Sequence, residues 1–265
     1  MLYVFLELVV YTQLPYTPRF ILLLFIVGAV VYLLLRGLEG WVRWGELFAI
    51  FLLISLISIN VSQLTNASFG NLLPFSDAFY KPTHYLKPEL LAGLFIFRGM
   101  FFIYFLYPHI KQTHRLFRWS TLSLTIAFFA VLVSVVLPIT IFGAPFAGKL
   151  TYPYQESLGT VALLWLPLER ITILTPIVWQ LIVVYVLCAS LFSAVRGIKT
   201  LLHIKKEQNI IYVLGALTLV TTMVPFQQTT VFTIMVYWAL TGMVVFIVIP
   251  SLLWLILAMR GGKTK

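Results

Sequence analysis

Residues 120–142 read STLSLTIAFFAVLVSVVLPITIF, without one charged side chain. As a helix this stretch is ~35 Å long at 1.5 Å per residue, enough for the ~30 Å hydrocarbon core of a bilayer. It is not an exception in the chain. Seven other segments are wholly or nearly as apolar: roughly 1–14, 19–35, 45–64, 89–107, 171–195, 210–226 and 229–258. The expected fold is therefore all-α, a polytopic membrane helical bundle forming one transmembrane domain over 1–265. Composition agrees. Hydrophobic residues make up 61% of 265, charged residues 10%, and the mean hydropathy is +1.02. A soluble domain has about 25% charged residues.

Loop charge sets the expected orientation. Assigning alternate loops to two sides puts Arg36, Arg43, Lys111, Arg115, Arg118, Arg196, Lys199, Lys205, Lys206, Arg260, Lys263 and Lys265 together. The other side holds Arg19, Lys81, Lys87, Lys149 and Arg170. The positive-inside rule then predicts a cytoplasmic C-terminus. The same clustering explains the net charge of +10 without nucleic acid as a partner. Trp41, Trp44, Trp119 and Trp254 fall near segment ends, where indole rings favour the headgroup layer. The outer connections 65–88 and 143–170 are rich in Pro, Gly and aromatics and are expected to pack as short helices or lids. The first segment begins at Met1 with no polar lead and reads as the end of a helix.

Arg98 is the most informative polar residue. It lies midway along LAGLFIFRGMFFIYFLY, where an Arg at the bilayer centre costs about 2.5–3.5 kcal/mol on the insertion scale. Two readings are open: a cavity-facing site for an anionic group such as a carboxylate, and an ion pair within the bundle. Glu7 is the candidate partner, because both residues lie at a similar depth, ~10 and ~13 Å from the outer ends of their helices. Pro138, Pro176 and Pro250 are expected to interrupt helices and free carbonyls. Ser55, Ser58, Asn60, Ser123, Ser134, Ser190 and Ser193 are read as bonding across helices or back to carbonyls. The four histidines read as solvated loop residues, and the single Cys188 excludes a disulfide framework. Phosphate loops, HExxH, GxSxG and paired carboxylates do not occur. The expectation is a non-enzyme with no catalytic residues, cofactor or metal.

Several short stretches, in order, resemble one family. They are Phe5-Leu6-Glu7-Leu8-Val9 with Leu14-Pro15-Tyr16-Thr17-Pro18, then Arg36-Gly37-Leu38-Glu39, then Asn71-Leu72-Leu73-Pro74. Leu150-Thr151-Tyr152-Pro153 and Leu168-Glu169-Arg170-Ile171, with Trp179, follow. Together they are similar to the integral-membrane B subunit of bacterial spore germinant receptors, a branch of the amino acid–polyamine–organocation transporter superfamily. The resemblance implies a ten-helix inverted-repeat fold, of which this chain would hold about eight segments and lack the first two. It places 89–107 as the sixth helix, so Phe97, Arg98 and Gly99 stand where ligand contacts are expected. It implies A-type and lipoprotein C-type subunits as partners, membrane lipids around the bundle, and a small nutrient, an amino acid, as ligand. The implied location is the spore inner membrane or the cell membrane of a spore-forming bacterium. Three roles follow as alternatives: a nutrient sensor, a secondary amino acid transporter, or a non-binding fragment needing a separate N-terminal piece.

Overall fold

A computed structural model describes residues 2–12, 14, 16–73, 99, 102–110, 113–161, 174–225 and 227–260. Every regular element among the described residues is helical. In a bilayer this is what backbone chemistry demands, since an open strand would leave polar groups unpaired in hydrocarbon. The helices are α1 (Leu2–Thr12), α2 (Arg19–Leu35), α3 (Gly37–Gln63), α4 (Phe102–Leu106), α5 (Thr113–Phe142) and α6 (Ala144–Ala147). They continue with α7 (Pro153–Gly159), α8 (Leu174–Leu202), α9 (Glu207–Met223), α10 (Gln228–Met243) and α11 (Ile249–Arg260). Short 3-10 turns at Leu64–Asn66 and Phe69–Leu72 follow α3. Among the described residues, four helical stretches are long and apolar enough to cross a membrane: Gly37–Asn66, Thr113–Phe142, Ile177–Leu202 and Thr233–Met259. Helix α2 is a shorter apolar helix, and most of the 89–107 segment lies outside the described residues.

The chain divides into two compact units, 1–74 with 121–224, and 75–120 with 225–265. In the first, α2 is the central helix and packs against α1, α3, α8 and α9. Its buried residues Leu23, Ile26, Val27, Val30 and Leu34 recur at helical spacing. At Gly215 of α9, an added Cβ would stand 2.7 Å from Val31, so the missing side chain is what lets the backbone approach α2. Helix α2 passes to α3 through Arg36 and Gly37, whose φ of +79° lets the chain turn at once.

Helices α3 and α8 run antiparallel. Trp41 meets Phe192 and Tyr185 at one end, while Ile59 shares a cluster with Val178 at the other. Helix α3 begins well before the apolar stretch at 45–64, because its first turns carry a Glu39–Arg43 ion pair in place of apolar side chains. Trp41, near the start of α3, has its ring buried against α8. Trp119 and Trp254 are exposed.

The second unit contains α4, the start of α5, α10 and α11. Between α10 and α11 the helix widens into a π turn, Val244–Val248, immediately before Pro250. A proline ring collides with the carbonyl four residues back, here that of Phe246, and the wider turn relieves it. The other two prolines do not end their helices. Pro138 lies within α5, and Pro176 falls in the first turn of α8, where its missing N–H has no intrahelical acceptor.

Candidate functional site

The connections after α3 and α5 fold as short helices in their described parts, and they carry the densest group of buried polar side chains among the described residues of the first unit. Helix α7 starts at Pro153, whose fixed φ suits a first helical position. It packs on the C-terminal end of α3. Leu158 and Val161 anchor it in an apolar cluster with Ile59 and Val178. That anchoring carries three polar residues of α7 inward. The Ser157 hydroxyl donates to Gln63 Oε1 at 2.6 Å, and to the Tyr154 carbonyl at 2.7 Å; having one proton, it serves one of the two at a time. The Tyr154 hydroxyl donates to Asn60 Oδ1 at 3.1 Å, while Asn60 Nδ2 donates to the Leu56 carbonyl at 2.7 Å. Gln63 Nε2 and Gln155 Oε1 are buried without partners.

The connection after α3 closes the end of α5. The Thr140 carbonyl accepts from the Ser68 N–H at 3.0 Å and from Asn71 Nδ2 at 2.8 Å. Asn66 Nδ2 donates to the Thr160 carbonyl at 2.8 Å. Carbonyls in the last turn of a helix lack intrahelical donors, so these bonds satisfy groups that would otherwise need water.

The electrostatics are those of a neutral network. Burial raises the Tyr154 phenol to about 12, with the Gln63 and Asn60 amides acting against it. Amides and hydroxyls of this kind do not titrate near neutral pH. What they offer is hydrogen bonding, to α7 and, through Gln63 Nε2 and Gln155 Oε1, to a further polar group. Among the described residues, no group of three or more His, Cys, Asp or Glu could hold a metal ion.

Of the sequence-derived site residues, Phe97 and Arg98 lie outside the described residues, and so does the expected Glu7–Arg98 pair. Gly99 is exposed, with nothing within 4 Å of where a Cβ would stand. Glu7 is engaged by Arg19: Nη1 lies 2.7 Å from Oε1, out of hydrogen-bond alignment, and Nη2 donates to Oε2 at 3.1 Å. The pair offsets the cation in the first turn of α2, where the helix dipole disfavours positive charge. The reading of the membrane hydroxyls holds for Ser134, Ser190 and Ser193, which bond to Val131, Val186 and Ala189 carbonyls. Gln63, Tyr154 and Ser157 were not singled out from the sequence. Their signal was a polar Asn60-Val61-Ser62-Gln63 end to an apolar helix, facing a proline-initiated turn that contains Tyr154-Gln155-Glu156-Ser157.

No curated protein and no solved structure matches the chain. Residues 1–231 match the spore permease family, described as spore germination proteins. With the match covering most of its length, the chain belongs to the spore germination protein family.

Proposed function

We propose that this protein is the membrane subunit of a nutrient germinant receptor, a non-enzymatic sensor of a small nutrient, an amino acid. The observation that carries the reading is membership of the spore germination protein family over residues 1–231. The residues assigned to ligand contact are Phe97, Arg98 and Gly99, with the Arg98 guanidinium receiving the ligand carboxylate. A ligand changes the helix packing only as far as it binds one arrangement better than another. The Ser157–Gln63 and Tyr154–Asn60 bonds support the reading, because they tie the α7 connection to α3. The signal then passes to A-type and lipoprotein C-type subunits in the spore inner membrane, with the C-terminus in the cytoplasm.

Thermal unfolding of the purified protein in detergent, against a panel of amino acids and sugars, tests the reading. A ligand at about 100 times its dissociation constant adds about 2.7 kcal/mol. One amino acid is expected to stabilise the wild type and to lose its effect in Arg98→Ala. Stabilisation by no member of the panel overturns the sensor assignment. Net uptake of the stabilising compound into proteoliposomes would replace sensing by transport.

A further inference from the structure

Two buried hydrogen-bond donors lack acceptors at one end of the α3–α8 pair, far along the helices from the α7 network. Trp41 on α3 is 1% exposed, and its Nε1–H has no partner. Arg196 on α8 has a buried Nε–H that is also unpartnered, although its Nη1 lies 3.2 Å from Glu207 Oε1. Both side chains rest on one ring, Phe192. The Trp41 ring centroid is 5.9 Å from it and the Arg196 guanidinium carbon 5.2 Å. An indole N–H and a guanidinium N–H can only donate, so neither satisfies the other. Leaving such donors buried and unmade costs free energy that an occupant with acceptor oxygens would recover.

The surroundings select the charge of that occupant. Arg36, Arg43, Lys199, Lys205 and Lys206 lie on the same helix ends and their connections. Of the carboxylates, Glu207 is held by Lys199 and Arg196, and Glu39 by Arg43; Glu46 is exposed on α3. The position selects its source. Trp41 is ~6 Å from the start of α3 and Arg196 ~9 Å from the end of α8, close to headgroup depth for a helix that spans a bilayer. The Arg196 side chain is 36% exposed and leaves a way in from that layer. Along α3 the exposed Leu47, Ile50 and Ile54 present a bare apolar stripe on which acyl chains can lie.

We propose that Trp41 Nε1 and Arg196 Nε bind phosphate oxygens of an anionic phospholipid headgroup at the basic end of the α3–α8 pair. The shared chemistry with free phosphate is separated by experiment. The full-length protein in a neutral maltoside detergent is titrated with phosphatidylglycerol, phosphatidylcholine or inorganic phosphate. Native mass spectrometry reads the affinities and thermal unfolding the stabilisation. Phosphatidylglycerol is expected to bind at least several-fold tighter than phosphatidylcholine. Trp41→Phe keeps an aromatic ring and removes the donor, and is expected to weaken phosphatidylglycerol about tenfold, as for one charge-assisted hydrogen bond. Arg196→Lys keeps the charge, removes Nε, and serves as the second variant should Trp41→Phe not fold. Unchanged phosphatidylglycerol affinity in the folded variants overturns the proposal. Saturable phosphate binding that displaces no lipid, and is lost in these variants, overturns the lipid source.

Discussion

Ser157 on α7 donates its hydroxyl to the side-chain oxygen of Gln63 on α3 at 2.6 Å, across 94 residues of chain, and both residues are wholly buried. The bond cannot be lost without consequence, because Gln63 Nε2 already lacks a partner. Ser157→Ala would remove the donor to Gln63 Oε1, at a cost of about 1–3 kcal/mol. Gln63→Leu in the Ser157→Ala background removes the orphan and is expected to recover part of that loss. Thermal unfolding of the three proteins in detergent checks this; equal or additive losses would show that the two side chains are not coupled.

Tyr154 gives the same connection a dependence on alkaline pH. Its phenol ionises at about 12 in the folded protein and at its ordinary value of 10.0 once exposed. The folded state therefore holds the proton more tightly. The resulting stability is complete below pH 10 and is lost as the pH rises toward 12. Unfolding midpoints between pH 8 and 12 are expected to fall less steeply in Tyr154→Phe than in the wild type. Parallel slopes would rule out Tyr154 as the source.

On the opposite pH limb, Glu207 fastens α8 to α9. Lys199, by a direct hydrogen bond, and Arg196, by its charge, hold the Glu207 carboxyl below its ordinary range against a smaller opposing effect of burial. A lowered carboxylate value contributes stability above the ordinary value, and that contribution fades as pH falls through the folded one. Glu207→Gln is expected to lower the melting temperature at pH 7 and to leave it nearly unchanged at pH 3. A deficit of the same size at both pH values would mean that the ion pairs are not its origin.

The Glu7–Arg19 pair is half open to its surroundings, with side chains 28% and 56% exposed. Such a pair is worth about 0–1 kcal/mol, so Glu7→Gln is expected to cost no more than about 1 kcal/mol. The exchange Glu7→Arg with Arg19→Glu should recover that cost, since an acidic side chain suits the first turn of α2. A loss of several kcal/mol in Glu7→Gln would instead indicate a deeply buried partner, as the sequence suggested for Arg98.

How much was legible follows from what each signal depends on. The span at 120–142, an irregularity at Pro250 and short helices in the connections after α3 and α5 are properties of local sequence, and each was readable from it; the start of α5 at 113 and the π form of the irregularity were not. The family motif Asn71-Leu72-Leu73-Pro74 was also readable, but not the reason for its asparagine. That reason is the buried Thr140 carbonyl, left without an intrahelical donor at the end of a helix 69 residues away in the chain. Likewise the approach of α9 to α2 at Gly215 depends on Val31, which no local pattern around residue 215 reveals.

By itself, the sequence determined that this protein is a bundle of apolar helices, because backbone groups in hydrocarbon must be paired within the segment. Tertiary structure alone decided which polar groups meet. It seated Trp41 inside the α3–α8 contact, and turned Gln63 toward Ser157. It also brought Arg19 to Glu7. Hydropathy is summed over one segment, whereas a hydrogen bond or ion pair requires two groups within about 3 Å, and only the packing of distant helices fixes that distance.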